Sequence, residues 1–326
     1  MSDKATNDLG PVRKPLSVVI PAHGTAEYLE EAIRSASRSS VVERVVVVCD
    51  ASPSDLEVAR RVAAGDSKVL VVELVGNVGL CRARNRGLVE VDTPWVHFLD
   101  SDDVAIAGAY ERLLASLPAE GVPDVLTGAW DILDRDGSIH PDASPLARQR
   151  RHHFTSEGSQ EEGAPLTIDS VLLGNTIGHP LAAVFSTPVL RGAGGWSVVG
   201  QGFCLTRTLP NLYWASEDGV LGVAETDVPL VHYRRREGQE TQNASFMRRW
   251  HLRLGLPWLS DAPDRDLPKV RRALRIRCLR VIRHGGIGST SIVTDLTIRL
   301  SWLLKLGYVE VVGRIEALRR RHRRPT

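Results

Sequence analysis

A chain of 326 residues has room for one large domain or two smaller ones, and 43% apolar with 25% charged residues is an ordinary globular composition. No stretch approaches the ~20 uninterrupted apolar residues of a membrane span, and the opening "MSDKATNDLG" has no signal-peptide core, so a cytoplasmic protein is expected. The net charge of +2 conceals a split: from Arg248 onward there are 19 Lys and Arg against 6 Asp and Glu, leaving the preceding residues acidic.

The first third alternates two patterns. "LSVVI" (16–20) is a short apolar run stopped by Pro21, and "YLEEAIRSA" (28–36) has Leu29, Ala32, Ile33 and Ala36 at helical spacing. "VVVVC" (45–49) is apolar throughout, as a strand covered on both faces should be. A helix is predicted over 54–64, a strand over 68–74, a helix over 79–91 and a strand over 95–99. A helix over 110–117 and a strand over 124–130 follow. Strands alternating with helices indicate βαβ units, hence an α/β fold with a mostly parallel sheet. "DILDRDGSIH" predicts a hairpin turning at Asp136-Gly137. Residues 141–165 are polar and aperiodic and predict a long flexible loop. From about Ser245 the pattern is helical, with Arg-studded apolar stripes at 269–284 and 296–321. The expected organisation is a disordered arm at 1–14, a domain over 15–245 and a basic helical region over 246–326. Of the four cysteines, Cys49 and Cys81 read as plain core residues, and none has metal-ligand spacing.

In an open parallel sheet, ligands bind beyond the carboxyl ends of the strands. After the four strands come "PAHG" (21–24), "DASPSD" (50–55), "GNVGLCRARN" (76–85) and "DSDD" (100–103). Small residues, acids and Arg therefore recur where a nucleotide would sit. An acid-rich helix start would explain one carboxylate of "DSDD". Three at a buried strand end would repel one another without a cation.

These segments, in this order, resemble the family 2 glycosyltransferases, inverting enzymes with the GT-A fold. "SVVIPAHGTAEYLEEAIRSA" is similar to their opening strand, turn and helix, and "VVVVCDASPSD" to a strand end that normally reads Asp-Gly-Ser. "NVGLCRARNRGL" is similar to their Asn-x-Gly…Ala-Arg-Asn-x-Gly segment, and "WVHFLDSDDV" to their DxD strand. "GAGGW" (192–196) and "PLVHYRRREG" (229–238) resemble their Gly-Gly-aromatic and closing segments more loosely.

The resemblance implies a GT-A domain with a helical C-terminal extension and a set of roles. Pro21, Ala22, His23, Asp50, Asn77, Gly79, Arg84, Asp100 and Ser101 would line the nucleotide-sugar donor. Asp50 would accept from a uracil or thymine N–H, cap the helix that follows it, or do both. Arg84 would lie near the diphosphate. Asp102 would ligate a divalent cation, Mg2+ or Mn2+, supported by Asp103. His179, Trp196 and His232 would fall on the acceptor side.

The sequence departs from the family where the catalytic base is expected. The alignable position in "GQGFCLTR" holds Gln201 and Gly202, whereas a Glu-Asp pair, Glu217-Asp218, stands later in "WASEDGV". Either Asp218 or Glu217 is the base in a rearranged loop, or the position near Gln201 is degenerate. The expected activity is metal-dependent hexosyl transfer from a UDP- or dTDP-sugar to a glycan, lipid or natural-product hydroxyl. Two alternatives stand beside it. One is a non-catalytic nucleotide-sugar-binding paralogue. The other is an aspartate-nucleophile phosphatase, which lacks its lysine, since the only Lys after "FLDSDDV" are Lys269 and Lys305. The basic C-terminus suits a peripheral membrane site or self-association, and without an aromatic stacking pattern nucleic acid is not expected.

Overall fold

The structure is a computed structural model that describes residues 15–118, 121–141, 168–173, 180–198, 204–216, 221–236 and 258–284, with Gly307 and Val311. The arm at 1–14, the loop expected over 141–165 beyond Pro141, and nearly all of the helix expected over 296–321 lie outside the described residues.

β1 (Leu16–Ala22), α1 (Ala26–Ser37), β2 (Val42–Asp50), α2 (Pro53–Ala63), β3 (Val69–Leu74), α3 (Leu80–Val89) and β4 (Trp95–Phe98) alternate as the periodicity predicts. β1 does not stop at Pro21 but runs through it. Val19 faces β4, its carbonyl accepting from the Leu99 N–H, so Pro21, two residues on, points the same way. Pairing with β4 ends at Val19–Phe98, so the donor that Pro21 lacks is not needed there.

The sheet continues with β5 (Val104–Ala105), β6 (Val125–Leu133), β7 (Ile139–Pro141), β8 (Ala183–Ser186) and β9 (Val223–Arg234). Its order is β3-β2-β1-β4-β8-β6-β9-β5, with β7 paired to β6. The first four strands are parallel. β8 enters antiparallel to both β4 and β6, while β6 and β9 run parallel. β6 and β7 form the hairpin expected at Asp136-Gly137, where Gly137 has φ 84° and the Asp134 N–H reaches the Ser138 carbonyl.

Helices cover both faces. α1, α2 and α4 (Ala109–Ala115) bury Leu29, Ile33, Ala59, Val62 and Leu113 against one face. α3, α6 (Thr187–Gly192) and α7 (Cys204–Ala215) close the other over Phe98, Phe185 and Trp196. α3 crosses β1 and β2 so closely that a Cβ on Gly87 would stand 2.3 Å from Val19 Cγ1. A third cluster joins α5 (Ile168–Leu173), α8 (Trp258–Asp261) and α9 (Leu267–His284) through Leu172, Trp258, Val270 and Leu274. Among the described residues of the basic C-terminal region, α9 buries an apolar stripe through Val270 and Leu274. No described helix is long and apolar enough to cross a membrane.

Cys49 is a buried free thiol, pushed up to about 12 mainly by burial. Cys81 is also buried but is disulfide-bonded, which corrects its reading as a plain core residue. Sequence spacing carries no information about which cysteines a fold brings together.

Candidate active site

The chain builds β1, β2 and β3 outward in one direction and then returns past β1 to lay down β4. The crevice at this reversal, beyond the carboxyl ends of β1 and β4, is where an α/β sheet binds ligands. Four of the predicted segments meet there.

Asp50 ends β2. Its Oδ1 accepts the Val78 N–H at 2.8 Å and its Oδ2 the Gly79 N–H at 2.9 Å. It therefore does not cap α2; the cap position belongs to Ser52, which makes no side-chain cap bond. Instead Asp50 holds the loop leading into α3, and each oxygen keeps a further acceptor site for a base N–H. Above it, His23 Nδ1 donates to the Asp50 carbonyl at 2.6 Å, leaving Nε2 to accept from Asn77 Nδ2 at 3.1 Å. Pro21 and Ala22 are buried, so a donor would meet their backbone.

Asp55 is fully buried and takes the Gly24 and Thr25 N–H groups on its two oxygens. The Thr25 hydroxyl donates to Ser101 Oγ at 2.8 Å, tying the β1–α1 turn to the acid loop. Ser101, expected at the donor, is thus 5% exposed and engaged internally.

Arg84 reaches Asp100 from α3, its Nη2 2.7 Å from Oδ1. Its side chain is 4% exposed and lies 4.8 Å over the Trp196 ring. Its fork is therefore turned onto Asp100 and withdrawn from solvent. Trp196, expected on the acceptor side, is instead a core residue, 1% exposed and edge-on to Phe98 and Phe185. Asn85 fixes it through two bonds, from Nδ2 to the Trp196 carbonyl and from the Trp196 N–H to Oδ1, both 2.7 Å.

The acids of "DSDD" are not left without cations. Arg236 Nε lies 2.5 Å from Asp102 Oδ2, and Arg234 Nε donates to the Asp102 carbonyl at 2.8 Å. The Arg234 N–H donates to Asp103 Oδ1, and its guanidinium packs over Tyr28 and pairs with Glu31. Mutual repulsion of the acids therefore does not by itself require a metal: Arg84, Arg234 and Arg236 supply three positive charges. The resemblance of "PLVHYRRREG" to a closing segment gives Arg234 and Arg236 no role, and periodicity does not show that β9 ends against the acid loop.

Compensation is nonetheless incomplete. Burial and the Asp100 charge hold the Asp102 carboxyl above its ordinary range, even against Arg236. Burial, then Asp102 and Asp100, push Asp103 well above its own, and its Oδ2 is buried without a hydrogen-bond partner. Among the described residues no three His, Cys, Asp or Glu side chains converge as a metal cage. Mg2+ and Mn2+ do not need one where a substrate's phosphates complete the shell. With Asp102 13% and Asp100 29% exposed, both side chains reach the crevice, and the residues fit such a cation.

His232 lies on β9 with Nε2 4.0 Å from Asp131 Oδ2, and burial lowers its basicity. His179, Gln201, Glu217 and Asp218 lie outside the described residues.

The profile of the family described as Glycosyl transferase family 2 matches residues 17–170, the stretch that carries all four segments. Residues 17–170 belong to glycosyl transferase family 2. The chain is 30% identical over 122 residues to the succinoglycan biosynthesis protein ExoO of Rhizobium meliloti (strain 1021), covering 37% of this chain and 35% of that protein. It is 28% identical over 100 residues to the uncharacterized glycosyltransferase EpsJ of Bacillus subtilis (strain 168), covering 30% of this chain and 29% of that one. The matches thus span about a third of these relatives. The fold resembles the crystal structure of S. aureus TarS 1-349, with a TM-score of 0.54 at 15% identity over 89% of this chain and 92% of that one. A further TarS structure, in complex with UDP-GlcNAc, has a TM-score of 0.52 at 14% identity over the same shares. The architecture is that of the GT-A glycosyltransferases.

Proposed function

We propose that this chain is an inverting, divalent-cation-dependent glycosyltransferase that moves a sugar from a UDP- or dTDP-sugar to an acceptor hydroxyl on a glycan, lipid or natural product. One observation carries it: Asp50 from one segment, and Asp100 and Asp102 from another, stand at the crevice where strand order reverses. The complex of TarS with UDP-GlcNAc supports a uridine donor.

In this reading Asp50 accepts from the nucleobase, and the exposed His23, held in one tautomer by Asp50 and Asn77, flanks it. Asp100, oriented by Arg84, meets the sugar or ribose. Asp102, with Asp100 beside it, holds Mg2+ or Mn2+, whose charge would ease departure of the nucleoside diphosphate. A carboxylate deprotonates the acceptor for a single displacement; Asp218 and Glu217 are the candidates, with Gln201 at the alternative position. Exposed Lys269, Arg272 and Arg275 on α9 suit an anionic membrane surface, which would place the enzyme at the inner face.

Release of UDP from UDP-sugars, followed with and without Mn2+, tests the proposal. Release that requires Mn2+, fails in Asp102→Asn and drops at least ~100-fold in Asp218→Asn fits a transferase with a carboxylate base. Donor binding with no release under any condition identifies a non-catalytic paralogue instead.

A further inference from the structure

Three arginines surround the acid loop, and they are not equivalent. Arg84 is 4% exposed, lies over Trp196 and is carried on the buried face of α3. Arg234 ends a strand, is 17% exposed, and its side chain is further held by Tyr28 and Glu31. Both are built into the scaffold. Arg236 stands two residues past the end of β9, its side chain is 37% exposed, and its charge also lies near Tyr28 and Glu27. It nevertheless takes Asp102 Oδ2, an oxygen of the side chain assigned above to the cation, at 2.5 Å.

Two cations sharing one carboxylate repel each other, so a divalent cation on either oxygen of Asp102 weakens the guanidinium's hold on it. We propose that Arg236 is the resident counter-cation of Asp102, and that a divalent cation binds there by exchange, displacing Arg236 from the carboxylate. The inference rests on the assignment of Asp102 as a cation ligand. It has a consequence for loading order. A bare cation must expel Arg236 without offering it another anion, whereas a cation that arrives with a nucleoside diphosphate brings phosphate oxygens for the displaced guanidinium. Cation and diphosphate therefore bind cooperatively, with Arg236 as part of the coupling, and cooperative binding of this kind is reciprocal.

Mn2+ binding to the full chain, measured by titration of the free-ion EPR signal with and without UDP, tests this independently of turnover. In Arg236→Gln, Mn2+ alone is expected to bind about fivefold or more tightly than in the wild type, and the tightening caused by UDP is expected to shrink. Arg236→Lys, which keeps the charge but not the guanidinium fork, should fall between the two. Equal or weaker Mn2+ binding in both variants, with far-UV circular dichroism unchanged, overturns the exchange. Asp102→Asn separates the two levels: if it binds Mn2+ as the wild type does, the assignment of Asp102 as a cation ligand fails, and the exchange with it. Loss of Mn2+ binding in Asp102→Asn without tightening in either Arg236 variant overturns the exchange alone.

Discussion

Among the described non-glycine residues only Ala51 has a left-handed backbone, with φ 53°. It follows Asp50, at the place where the similar segments of the family carry Gly. The conformation is imposed: the Ala51 N–H reaches the Cys49 and Leu74 carbonyls while Asp50 is held by Val78 and Gly79. An L-residue there costs ~1–2 kcal/mol, and glycine relieves this while losing up to ~1 kcal/mol through its freer unfolded chain. Ala51→Gly is therefore expected to raise the urea midpoint, by up to about 1 kcal/mol of stability; a lowered midpoint would show that the turn carries no strain. His97 gives a pH signature. It is fully buried, with Nδ1 on the Tyr110 hydroxyl and Nε2 on the Leu181 carbonyl, and burial lowers it to about 4 from the ordinary 6.5. Between those values the unfolded chain binds a proton that the folded protein does not. This contribution is therefore absent above pH 6.5 and grows as pH falls, destabilising by up to ~3 kcal/mol near pH 4. Stability measured from pH 7 to 4 should fall less steeply in His97→Gln, by about one proton's worth of slope; identical slopes would place a charged imidazole in the core.

At the scale of elements, α3 does most to assemble the site, because it carries Arg84, Asn85 and Gly87 on one short stretch. Its apolar spacing was legible, and the helix begins and ends within two residues of the expected 79–91. Its depth was not. A Cβ at position 87 would be 2.3 Å from Val19 Cγ1 and 3.1 Å from Val48 Cγ2, so the helix lies where only glycine permits it. Gly87→Ala is expected to cost ~1–3 kcal/mol through overpacking, despite alanine's better helix propensity. By lifting Arg84 off Asp100 it should also weaken UDP affinity, measured by calorimetry; an unchanged affinity with lowered stability would confine its role to packing. β5, a strand of two residues, is too short to display a period. β9 is long enough, but its burial is mostly intermediate and its Asp, Pro and Arg residues blur any alternation.

For the whole molecule, the donor reading predicts linkage between ligand and stability. UDP with Mn2+ at a hundred times its dissociation constant should add ~2.7 kcal/mol, seen as a rise of a few degrees in Tm. No rise with UDP, dTDP or GDP, with or without Mn2+, would remove the nucleotide from the crevice. The charge split along the chain also acquires a location: α9 joins α5 and α8 through its apolar stripe and presents Lys269, Arg272 and Arg275 outward.

The sequence alone determined the βαβ order, the parallel start of the sheet and the four ligand-end segments, because these depend on periodicity and on the chemistry of residues near one another in the chain. Tertiary structure alone decided how those segments are used. It gave both Asp50 oxygens to the α3 loop, buried Trp196 beneath Arg84 and brought Arg234 and Arg236 onto the acids of the DxD loop. Each is a contact between residues at least 28 positions apart in the chain. Such contacts leave no local pattern, since they arise only when distant strand ends are folded to a common edge.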